Sequence, residues 1–168
     1  MVQVTRKKII PNLTDSTILP DNIPPPSGKI DIETFGPVKI GQHYKDMVVA
    51  IGEPETKSSA QLWAADGMMH ETWNYNSKGL SIALVSEETN ASEKSIFSIT
   101  AIKPSEYKTR ANTGVGSSEN EIKAAYLRDI DSSLSSAEQI VVGSVYGGII
   151  FDLKNGKATK VFLGANAE

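Results

Sequence analysis

His43 and His70 are the only histidines in the chain, and cysteine is absent. Without sulfur there is no thiolate nucleophile, no disulfide framework and no cysteine zinc site. A serine nucleophile needs a base beside it, yet no Gly-x-Ser-x-Gly elbow occurs, and neither histidine belongs to a His-Glu-x-x-His run. GVGSSENE places Gly114 and Gly116 ahead of a helix start, but no Gly-Lys-Ser/Thr follows to complete a phosphate loop. DIDSSLSSAE sets Asp129, Asp131 and Ser133 at alternating positions, as some calcium loops do. Leu134 then stands where such a loop needs glycine, and Ile140 where it needs glutamate. The pairs Glu53/Glu55, Glu87/Glu88 and Glu119/Glu121 lie in polar contexts, away from the apolar clefts that split carboxyl pKa values for acid–base work. The expectation is a protein that is not an enzyme and carries no metal or cofactor.

One stretch does concentrate recognition chemistry. QLWAADGMMHETWNY gathers Trp63, Asp66, Met68, Met69, His70, Trp73 and Tyr75, and both tryptophans of the chain are in it. Large aromatic and methionine side chains bury much area for little lost freedom, which is the make-up of protein–protein hot spots. These seven residues form the expected partner-binding set. Strand alternation puts Trp73 and Tyr75 on one face, with Thr72 and Asn74 on the other. A core role for Trp73 and Tyr75 is therefore an open alternative, and Trp63 and Met68 flank the turn itself.

The elements that must position this stretch can be read around it. Asp66-Gly67 between apolar flanks predicts a hairpin with strands over about Gln61–Ala64 and Met69–Tyr75. Before it, Tyr44, Met47, Val48 and Ile51 fall at i, i+3, i+4 and i+7, the stripe of a short helix. Gly41 opens that helix, and Gly52 with Pro54 closes it. After it, KGLSIALV and IFSITAI read as strands separated by the polar turn SEETNASEKS. Ser118 with Glu121 is a capping box starting a second helix, whose stripe is Ile122, Ala125 and Tyr126. IVVGSVY, GGIIFDL and KATKVFLG read as three more strands, with Asn155-Gly156 as the last hairpin turn. Tyr146, Phe151 and Phe162 form a second aromatic group, which would continue the same surface if the halves form one sheet and is read as core.

The two halves echo one another. Gly41 and Gly116, Met47 and Ile122, and Ala50 and Ala125 are each offset by 75. Gly79-Leu80-Ser81-Ile82 matches Gly148-Ile149-Ile150-Phe151 at an offset of 69. The expected fold is α+β: two tandem repeats over 36–105 and 111–166, each a short helix packed on an antiparallel sheet, the sheets forming one curved surface. Residues 1–30 hold five of the eight prolines and read as an extended tether.

This layout resembles the tandem repeats of β-lactamase inhibitory proteins. The unit VKIGQHYKDMVVAIGEPE…WNYNSKGLSIAL also resembles the single repeat of small outer-membrane-assembly lipoproteins. The shared outline is Gly41, a helix through Met47 and Ile51, then Gly52-x-Pro54 leading into a strand. The chain lacks the cysteine pairs typical of the inhibitory proteins, and Leu127-Arg128-Asp129 replaces Gly-x-Pro after the second helix. The resemblance implies a periplasmic or envelope protein that binds another protein, as an inhibitor or immunity protein for a cell-wall or toxin enzyme. An envelope scaffold module and a small-ligand binder are the alternatives.

Composition sets the remaining bounds. The chain has 168 residues, 39% hydrophobic and 22% charged, with a formal net charge of −3. That suffices for a packed core and gives no electrostatic reason to expect nucleic acid or an anionic membrane as partner. The longest apolar runs, such as Met47 to Ile51, are far below the ~20 residues of a membrane span. Arg6, Lys7 and Lys8 precede Ile9, Ile10 and Pro11 without an apolar stretch, so no signal peptide is legible.

Overall fold

The structure is a computed structural model that describes residues 33–144 and 147–165. The proline-rich stretch 1–30 and Tyr146 fall outside the described residues.

Helix α1 spans Tyr44–Ile51. His43 caps it, its Nδ1 accepting from the Lys45 N–H at 3.3 Å, and Gly52 ends it at φ 86°. Eight residues are too few to hold a helix in water, so its stability must come from burying one face. Met47 and Ile51 are that buried face, with Tyr44 and Val48 packed beside them. Helix α2, Glu119–Ala125, starts with the expected box: the Ser118 hydroxyl accepts from the Glu121 N–H, and Glu121 Oε2 accepts from the Ser118 N–H at 2.7 Å. Ile122 and Tyr126 are buried as expected, whereas Ala125 is exposed. Tyr126, four residues after Ile122, is the position that turns to the sheet and meets Phe151, which leaves Ala125 outside the stripe. Ser118→Ala is expected to lower stability by about 0.5–2 kcal/mol, read as a lower midpoint in a urea titration with an unchanged slope.

A small hairpin precedes α1, with β1 at Thr34–Phe35 and β2 at Val38–Lys39. The remaining strands form one eight-stranded sheet. They are β3 (Thr56–Lys57), β4 (Gln61–Trp63), β5 (Met68–Tyr75), β6 (Leu80–Ser86), β7 (Ser95–Ile102), β8 (Gln139–Ser144), β9 (Gly147–Lys154) and β10 (Lys157–Gly164). The order is β3-β5-β6-β7-β10-β9-β8, with β4 also on the outer edge of β5. Every described pairing is antiparallel. The fold is therefore α+β. After α1 come the short strands β3 and β4 and then the consecutive antiparallel strands β5-β6-β7; after α2 come β8-β9-β10, and the two sets meet where β7 pairs with β10.

Alternation divides the sheet into two faces. Trp73, Tyr75, Leu80, Ile82, Leu84, Ile99, Phe151, Val161 and Leu163 point to one side and share a single core with Met47, Ile51, Ile122 and Tyr126. Tyr44 meets Trp73 edge-on at 5.7 Å, and Tyr126 meets Phe151 at 6.0 Å. Both helices thus cover the same face. Burying each large side chain there contributes about 1.5–3 kcal/mol. The last hairpin turns at Asn155-Gly156 with φ 52° and 71°, the left-handed pair that a two-residue antiparallel turn demands.

Candidate functional site

The face away from the helices begins at the β4–β5 hairpin. Gly67 turns the chain at φ 69°, and its N–H donates to the Trp63 carbonyl at 2.8 Å. The register pairs Trp63 with Met68 and Gln61 with His70, so these four side chains stand on one face and Met69 stands on the other. Trp63 lies flat on the His70 ring, with centroids 3.8 Å apart and planes at 8°. Phe97 of β7 meets both rings edge-on, 5.0 Å from His70 and 6.5 Å from Trp63. Phe97 gets there through a β-bulge: Ala83 pairs with Ser98 and Leu84 with Ile96, which leaves Phe97 unpaired in the ladder. A bulge re-aims a side chain that strict alternation would place elsewhere.

Asp66 ties the turn to this stack. Its Oδ1 accepts from the Met68 N–H at 2.9 Å, and its Oδ2 sits 2.7 Å from His70 Nε2. The Met68 backbone donor first, and then the His70 ring, hold the Asp66 carboxyl below the usual carboxylate range. The His70 side chain is only 4% exposed, and its Nδ1 meets no polar partner among the described residues.

Across the sheet, the same face carries Thr72 and Asn74 of β5, Ser81, Ala83 and Val85 of β6, and Ser98 and Thr100 of β7. None of these is charged, and all are half-buried. Ser81 Oγ donates to Asn74 Oδ1 at 2.9 Å. Phe162 of β10, opposite Thr100, extends the apolar part of this face and is half-buried. Farther on, Val141 and Ile150 are 1% and 4% exposed and stand apart from the central core. The far corner is a polar cleft lined by Glu138, Gln139, Asp152, Lys154 and Thr159. Asp152 is engaged there by Lys160 at 2.6 Å and Gln139 at 3.2 Å.

The seven residues of the expected partner-binding set therefore separate. Trp63, Asp66, Met68 and His70 come together on the side away from the helices. Trp73 and Tyr75 are 3% and 1% exposed and lie beneath α1, so the candidate surface does not include them. Trp73 Nε1 donates to Glu71 Oε1 at 2.7 Å, the same carboxylate that holds Lys94 Nζ at 2.6 Å, while Lys57 Nζ sits 3.9 Å from the Trp73 ring centre. Tyr75 OH donates to the Gly52 carbonyl at 3.1 Å, locking β5 to the end of α1. Burial, then the charges of Glu53 and Glu55, push its pKa up to about 12. Met69 shares the helix side with them and is half-buried.

Phe97 was not among the expected site residues, and Phe162, read as core, stands instead on the face away from the helices, outside the central core. Phe162 could have been found from Val-Phe-Leu alternation, which places it opposite Phe151's face. Phe97 could not, because a bulge leaves no distinctive residue pattern. His43 stands at the start of α1 with Nε2 3.4 Å from Glu93 Oε2, in a different element from His70. Among the described residues no group of three or more His, Asp or Glu side chains could hold a metal ion. No described helix is long and apolar enough to cross a membrane. No family model matches the chain, and it matches neither a curated protein nor a solved structure.

Proposed function

We propose that this chain is a non-enzymatic bacterial binding protein that inhibits or neutralises an enzyme of the cell wall or a toxin, acting in the periplasm or cell envelope. The contact surface is the face away from the helices, with the β4–β5 hairpin as its anchor. The observation that carries this reading is the Trp63–His70–Phe97 stack beside Met68, a large aromatic group on the side of the sheet away from the helices, half-buried at Trp63, Met68 and Phe97. Aromatic anchors on a preformed scaffold lose little freedom on docking, which is how a protein without chemistry of its own holds a partner tightly.

The architecture behind the reading is two tandem repeats sharing one curved sheet. Its support is a set of contacts made twice. The Gly41 N–H donates to the Ile96 carbonyl at 2.7 Å, and the Gly116 N–H to the Ala158 carbonyl at 2.7 Å. Gln42 accepts from the Ile96 N–H and Ser117 from the Ala158 N–H, at 2.9 and 2.8 Å. The two capping residues bridge to the start of each third strand, His43 to Ser95 and Ser118 to Lys157. Each third strand then bulges by one residue, at Phe97 and at Thr159. Two unrelated αβ stretches have no reason to agree in helix docking, capping bridge and bulge together.

Photocrosslinking tests the surface. A benzophenone amino acid at Met68 is expected to form an adduct with the partner, and the same group at Val49, 89% exposed on α1, is not. Adduct formation from Val49 alone would overturn the assignment. Because the face over β5–β7 carries no fixed charge, and the hairpin's Asp66 is already engaged by the Met68 N–H and His70, affinity is expected to change less than about 3-fold between roughly 50 and 500 mM salt, measured by titration calorimetry.

A further inference from the structure

We propose that His70 is a positioning residue, whose imidazole is a flat backing that fixes the Trp63 indole before any partner arrives. The inference rests on reading the hairpin as the contact surface, but it concerns the free protein. The geometry leaves the ring little freedom. Asp66 Oδ2 holds Nε2 at 2.7 Å, and that carboxylate is itself pinned by the Met68 N–H at 2.9 Å. On the neighbouring strands the Phe97 ring stands edge-on to it at 5.0 Å and 85°, while the paired residue on β6 is Val85. The contacts from the turn and from β7, with Val85 as the cross-strand neighbour on β6, set the plane of the imidazole. The indole then lies against that plane at 3.8 Å and 8°. Trp63 itself sits at the end of a three-residue edge strand beside an exposed turn, where nothing in β4 alone would order a side chain of this size. A phenyl ring in place of His70 keeps the flat backing and loses only the bond to Asp66, whereas a methyl group loses the backing.

Fluorine NMR on the full chain labelled with 5-fluorotryptophan reads this directly, since the protein has two tryptophans. Trp63→Phe assigns the resonances, and buried Trp73 reports whether the fold persists. In the wild type the Trp63 resonance is expected well away from the position of free fluorotryptophan, shifted by the ring it lies on. His70→Ala should move it most of the way to the free position with Trp73 unchanged, and His70→Phe should restore the displacement. A Trp63 resonance unmoved in His70→Ala would overturn the proposal. So would a His70→Phe variant that keeps Trp73 in place but releases Trp63, and this second variant decides the matter if His70→Ala fails to fold. Neither result depends on a partner, so the positioning role and the binding role can fail separately.

Discussion

Phe151→Ala is expected to destabilise the protein by about 3–5 kcal/mol, a large fraction of the ~5–15 kcal/mol stability of an ordinary domain. Phe151 is fully buried in β9, between Ile140 of β8 and Val161 of β10 in the ladder, and it faces Tyr126 at the end of α2. Removing its ring takes apolar surface out of the core and opens a cavity. Neighbours on both sides are fixed by the ladder, so the space cannot collapse. Chemical denaturation should show a midpoint lowered by more than 1 M urea at unchanged slope, given a slope of about 1–3 kcal/mol per molar. Phe162→Ala, one side chain along on β10 and facing away from the helices, should lose much less. Equal losses from the two would mean that the alternation assigned to β10 is wrong.

Trp63→Ala is expected to weaken partner binding by about 30-fold or more, since buried aromatic anchors at hot spots are worth 2 kcal/mol and upward. Its effect on folding should be small by comparison, because β4 is a three-residue edge strand and Trp63 belongs to the turn-side stack, outside the central core. Trp73→Ala should behave in the opposite way. It would strip the core beneath α1 and leave the Glu71–Lys94 pair without the indole donor, so stability falls first and binding only as a consequence. Affinity measured by calorimetry alongside a melting curve separates the two tryptophans. Loss of stability with retained affinity for Trp63→Ala would remove the hairpin from the contact surface.

This contrast marks how far the sequence could be read. The helix over Tyr44–Ile51 was legible because its stripe and its closing Gly52 agree, and the capping box of Ser118 and Glu121 because two side chains specify each other. Asp66-Gly67 and Asn155-Gly156 marked their hairpins, since few residues tolerate the backbone such turns need. Strands of two residues, such as β1, β2 and β3, carry no periodicity and could not be seen. The seven-residue cluster was visible as composition, and alternation separated Thr72 from Trp73. Which face the helices cover is a tertiary fact, and it removed Trp73 and Tyr75 from the surface. The bulge at Phe97 is a register shift of one residue in β7, and only the pairing with β6 reveals it.

The most direct test is inhibition. Affinity capture with the wild-type chain from the cells that produce it, beside the doubly substituted Trp63→Ala, Phe162→Ser chain and a Val49→Ser, Leu127→Ser control, identifies the partner. That partner, purified, is then titrated with each protein while its activity is followed. Near-stoichiometric inhibition is expected from the wild type and from the helix-side control, whose substituted residues are 89% and 77% exposed. Inhibition should be lost in the Trp63, Phe162 variant, whose far-ultraviolet circular dichroism should remain unchanged. Inhibition that survives in that variant and disappears in the control would place the working surface on the helices and contradict the account.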